Sequence, residues 1–325
     1  MAGRAIALAG VALSLCTACE RVARVRERWE ASAYLGADSM GAMPRDTVTV
    51  PLGAPRELVE NSAAAMSTRQ PGIWFTINDS GNEPQLFALD TTGADRGVWR
   101  VLGATNVDWE SAAVGPCAAG TPAEPCVYIG DTGDNQARLP LRVIYRTREP
   151  VADGRRDTLR ADALWYRYPD RPHDVEAMYV APSGDITLIT KRPLTGRTGQ
   201  PRPALVFTLP APAWAPAGLS RPTEARLVDS LPIVPGSAAL RTITDAALSP
   251  DARHLAVRTY AQVYIFATDS ATGRVNHAVR PSVCNIAELA EELGEGVTWA
   301  DARGRLVLTS EGAAAPMHLV TCPLP

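Results

Sequence analysis

The chain has 325 residues, 46% of them hydrophobic and 21% charged, with a net charge of −3. That composition excludes a disordered polymer, because it supplies enough apolar side chains for a substantial core. The mild acidity gives no electrostatic basis for binding nucleic acid.

Residues 1–19 read as an export signal. Arg4 provides a small positive region, and Ala5 to Leu15 provide an apolar one too short to span a bilayer. The segment ends in "LCTAC", Leu15 to Cys19, which resembles the bacterial lipobox and implies a lipid on Cys19. Cleavage after Ala18 and release as a soluble periplasmic or secreted protein is the alternative. Residues 20–46 have the composition of a stalk, and the folded domain is expected over 47–325.

Export gives the remaining cysteines a reading. With Cys16 and Cys19 set aside, Cys117, Cys126, Cys284 and Cys322 are an even number in an oxidising compartment. Cys117 and Cys126 flank a polar loop between two strand-like runs, so they are expected to staple a hairpin. Cys284 then pairs with Cys322. No zinc-type spacing is present.

From Thr47 onward the chain consists of short apolar runs separated by Gly, Pro, Asp and Asn, an all-β signature. Ile286 to Leu293, "IAELAEEL", is the best helical candidate. An acid stands before a small apolar run at Glu60, Glu110, Glu176, Asp245 and Glu295. Each is followed by a second strand ("IWFTIND", "CVYIGD", "ITLITK", "HLAVRT", "RLVLTSE") and then a third. Repeats of this size predict a β-propeller of four-stranded antiparallel blades. Five blades are expected, with a sixth in the insertions near residues 195–240 as the alternative. The last repeat lacks a fourth strand, and "TVTVP" at Thr47 to Pro51 is available to close the ring.

In a propeller the first strand of each blade lines the axis, so the five acids are expected to ring one channel mouth as metal ligands. Asp79, Asp131, Lys191, Arg258 and Glu311 end the second strands and form a second, ligand-binding tier. The recurring "DSGN" and "DTGD" at Asp79 and Asp131 are also good turns, which accounts for Gly81 and Gly133. Two bases cannot balance so many carboxylates. Calcium is therefore the expected cofactor, against a reading in which ion pairs or solvent relieve the charge. Lys191, the only lysine in the chain, is read as pairing with Glu176 rather than serving a ligand. His173 is the best general-base candidate, although a loop histidine is more often structural. Sequence motifs for a serine nucleophile, a zinc protease or a nucleotide-binding loop are absent.

"GIWFTINDSGNEPQLFALDTTG" followed by "NVDWESAAVG" resembles the phytase-like and SdiA-regulated-like extracytoplasmic β-propellers. The likeness spans roughly residues 58–320 and implies calcium at the five acids. The dense acidic signature of alkaline phytases is missing. Two functions follow. One is a lipid-anchored envelope propeller that binds calcium and a small ligand or protein partner on its charged face. The other is a calcium-dependent phosphoesterase or lactonase using a metal-activated water.

Overall fold

Strand-forming runs alternate with turns throughout the computed structural model, which describes residues 41–118, 124–191, 203–233, 240–313 and 315–325. The signal segment, Cys19 and most of the stalk lie outside these residues. The strand β1 (Thr47–Val50) comes first. Blade one follows as β2 (Ala65–Met66), β3 (Ile73–Ile77), β4 (Gln85–Asp90) and β5 (Asp95–Leu102). Blade two begins with β6 (Trp109–Pro116), β7 (Pro125–Asp131) and β8 (Arg142–Arg148). The chain then lays β9 (Arg156–Arg160) parallel to β5 of blade one, and returns with β10 (Asp162–Arg167) to β8.

Blade three contains β11 (Val175–Val180), β12 (Ile186–Thr190) and β13 (Ala204–Leu209). A two-residue strand, β14 (Thr223–Glu224), runs parallel to β10 before β15 (Arg226–Leu231) completes the blade. Blade four is β16 (Ile243–Leu248), β17 (His254–Thr259), β18 (Gln262–Ala267) and β19 (Ser282–Asn285). Blade five is β20 (Gly294–Trp299), β21 (Arg305–Ser310) and β22 (Met317–Thr321), with β1 antiparallel on β22 as its outer strand.

These sheets form a five-bladed propeller. The first strands close a ring, β2 on β6, β6 on β11, β11 on β16, β16 on β20 and β20 on β2. The described part of residues 195–240 completes blade three and extends blade two, so it holds no sixth blade. The helical candidate at 286–293 forms only a 3-10 turn, Ala287–Leu289, stopped by Ala290 in the left-handed region at φ 53°. Its periodic residues are overridden by the need to enter β20.

The core lies between neighbouring blades. Phe75 and Trp99 of blade one meet Trp109, Ile129 and Tyr145 of blade two in one such layer. Alternation along each strand supplies an apolar side to both of its neighbours, so nearly every inner position is buried. Two disulfides reinforce the ring, Cys117–Cys126 and Cys284–Cys322, as the spacing predicts. The second joins β19 of blade four to the end of blade five. The chain is hydrogen-bonded to these blades even before β1, since the Ala42 amide donates to the Val283 carbonyl at 2.9 Å and the Arg45 amide to Thr321 at 2.8 Å.

Candidate functional site

The inner strands enter the channel with a break in register. Pairing jumps between Trp109 and Ser111 in blade two, between Val175 and Ala177 in blade three, and between Gly294 and Val297 in blade five. Glu110, Glu176 and Glu295 fall inside those jumps. A bulge inserts a residue and redirects its side chain. Trp109 can therefore fill the core completely while the next residue, Glu110, turns to the axis and accepts a hydrogen bond from Ser62 Oγ of blade one at 2.7 Å.

In blade four the jump straddles Thr244, so Asp245 sits one place beyond the other acids. Asp245 is fully buried and accepts the amides of Ala246 and Val297 at 2.8 Å and of Ala64 at 3.2 Å. Burial still pushes its proton affinity well above the ordinary carboxylate value. Glu60 is exposed at the rim, where Asn82 donates to it at 2.6 Å, and its neighbour Asn61 takes the buried position. Three of the five acids thus share one structural place; Asp245 and Glu60 stand apart from it.

Lys191 belongs to this group. Its ammonium pairs with the carboxylate of Glu176, and its charge also acts on Glu110, Glu295 and Glu311. The second tier is less uniform. Asp131 is committed to the fold, accepting Arg142 Nη2 at 2.6 Å and the amides of Val107 and Asp108 at 3.2 Å. Arg258 is buried between blades four and five, donating to the carbonyls of Gly296 at 2.6 Å and Thr309 at 2.8 Å and pairing with Glu291. His173 packs between Tyr168 and Phe207, with Nε2 3.0 Å from Asp170. That is a structural setting for an imidazole.

Asp79 and Glu110 do come together, and Asp108 completes the group. One carboxylate oxygen from each of these three lies within 4.8 Å of the others. Asp108 is not among the expected ligands: it stands two residues before Glu110 in "NVDWES", just ahead of β6, and its place beside Glu110 depends on the bulge that no repeat in the sequence marks. Gly133 marks the spot independently. A Cβ there would lie 2.6 Å from both Asp108 Oδ2 and Glu110 Cγ. Its φ is not positive, so room for the two acids explains it, whereas Gly81 at φ 80° is a turn glycine as expected.

Crowding raises the proton affinity of these acids. Burial first and the charge of Asp79 second push Glu110 up to about 9 and Asp108 to about 6. Burial and Glu311 raise Glu295 to about 8; burial, Asp79 and Glu60 raise Glu311 to about 7. Oxygen-only donors at this spacing fit a hard cation such as calcium, which accepts irregular geometry and further ligands from water.

No protein-family model matches the sequence, and no curated protein matches it. Solved structures with a similar course include the glutaminyl cyclase of Myxococcus xanthus, at 12% identity over 86% of this chain and 95% of that one, with a TM-score of 0.45. Another is the PQQ-bound aldose sugar dehydrogenase of Streptomyces coelicolor, at 11% identity, 87% and 100% coverage and a TM-score of 0.45. A luciferin-regenerating enzyme shows 11% identity, 85% and 95% coverage and a TM-score of 0.41. Likeness at this level says nothing about site or activity. The propeller that the phytase-like resemblance implies is present, and no family match accompanies it. The two disulfides are consistent with export. Among the described residues no helix is long and apolar enough to cross a membrane, which leaves β-barrels unaddressed.

Proposed function

We infer that this is an exported propeller that binds calcium at its channel mouth through Asp79, Asp108 and Glu110, and that offers the surrounding charged face to a small ligand or protein partner. The approach of three carboxylates to within 4.8 Å carries this reading. Like charges that close need protons or a cation to relieve them. The site is lopsided, on blades one and two, because Glu176 already has Lys191 and Asp245 has backbone amides. Titration of calcium into EDTA-stripped protein tests it: one site is expected, lost in Asp108→Asn. Absence of binding at millimolar calcium would end the proposal.

The same reading anchors the chain through a lipid on Cys19, as the lipobox resemblance of "LCTAC" suggests. Cys19→Ala should then move the protein to the soluble fraction; unchanged membrane association would remove the anchor.

A calcium-dependent hydrolase is the second reading. In it Asp79, Asp108 and Glu110 would hold the metal, and a rim carboxylate outside that set, such as Glu311, would act as base toward a metal-activated water. Turnover of phosphoesters or lactones that EDTA abolishes would support it over simple binding, and no turnover across both classes would dismiss it.

A further inference from the structure

A cavity of about 630 Å³ opens on the outer flank, at the seam between blades one and two. It arises from the way the chain is routed. After β8 the chain crosses to blade one to add β9 to β5, then turns at Ala161 and rejoins blade two as β10. The crossing sets the end of β5, at Leu102, against the disulfide end of blade two. Leu102, Ala161 and the Cys117–Cys126 bridge give the cavity apolar walls, and Arg146, Arg148 and Arg160 line it with positive charge.

The three arginines are held differently. Arg146 is fixed: its guanidinium lies 4.2 Å over the Trp214 ring, donates to the Cys117 carbonyl at 2.8 Å and meets Asp162 at 3.1 Å, with the side chain only 14% exposed. Arg148 pairs with Glu124 at 3.1 Å, but its side chain is 78% exposed. Arg160 is exposed at the end of β9. The opposing carboxylates, Asp162 and Glu124, are 57% and 59% exposed, so each can turn into water at little cost. Three guanidiniums against two loosely held acids leave positive charge to spare, in a volume suited to a small molecule.

We propose that this cavity binds a small organic oxyanion, a carboxylate or phosphate whose apolar part rests on Leu102 and Ala161. Arg146 is a fixed positive floor, because its Nη1 and Nη2 already donate to the Cys117 carbonyl and to Asp162 and its face lies on Trp214. Arg148 and Arg160 close on the anion from either side of the seam. The site uses none of the carboxylates at the channel mouth, so it stands or falls separately from the cation site.

Phenyl phosphate titrated into the full chain at low salt, in EDTA, is the test. Binding is read by calorimetry and by tryptophan fluorescence, which Trp214 reports from beneath Arg146. Saturable binding is expected, weakened about tenfold or more in the Arg148→Gln, Arg160→Gln double variant as charge-assisted bonds are lost. Arg155→Gln, an exposed change paired with Asp153 outside the cavity, should bind as the parent does. Absence of saturation, an unweakened double variant, or an equal loss in Arg155→Gln would each overturn the proposal.

Discussion

Glu110 holds its proton to about pH 9, because burial and Asp79 outweigh Ser62 and Lys191. Glu295, Glu311 and Asp108 follow at about 8, 7 and 6. In the unfolded chain such groups titrate at roughly 4. Between those limits the folded state binds more protons than the unfolded one, so stability falls as pH rises. Each proton of difference is worth about 1.4 kcal/mol per pH unit. Cation-free protein should therefore lose melting temperature from about pH 5 to about pH 9. Glu110→Gln, which keeps the shape of the protonated acid, should flatten that decline. A melting temperature that rises across the range would contradict the account. Calcium needs the ionised acids, so its binding should release protons and strengthen with pH. At this scale the sequence showed where charge accumulates, since an acid at the mouth of a buried strand must find a partner. It did not show which acids meet. Bulges decide that, and in blade four the bulge puts Thr244 where the repeat suggested Asp245.

Strands were the most legible elements. The second strand of every blade, from "IWFTI" to "RLVLTS", is an apolar run bounded by turns and sits between two partners. The strands that stitch one blade to another were not legible. "RDTLR" is mostly exposed and carries no alternation, and its parallel place beside β5 depends on contacts remote in sequence. β1 lies between these cases: its β-branched residues marked a strand, and the unfinished last repeat marked its partner. It covers an otherwise open β22 edge through the pairs Thr47 with Val320 to Val50 with Met317. A chain beginning at Pro51 should melt several degrees lower and self-associate through that edge. An unshifted melting temperature and a monomeric elution profile would show that ring closure does not depend on this strand.

Ring closure also explains why the mouth carries chemistry. Five first strands converge on one axis, and their entrance end is opposite the Cys117–Cys126 staple, because β6 pairs Trp109 with Asp131 at one end and Gly115 with Cys126 at the other. The fold was readable as a repeat, whereas the site's asymmetry was not, because it comes from one lysine and a few amides that satisfy particular acids. The most direct measurement of the central claim is an anomalous-difference map from crystals of this protein grown with calcium. The account predicts a peak within coordination range, about 2.3–2.6 Å, of oxygens from Asp79, Asp108 and Glu110. A map with no peak among these three carboxylates, or with one centred on Glu176 and Asp245 instead, would contradict it.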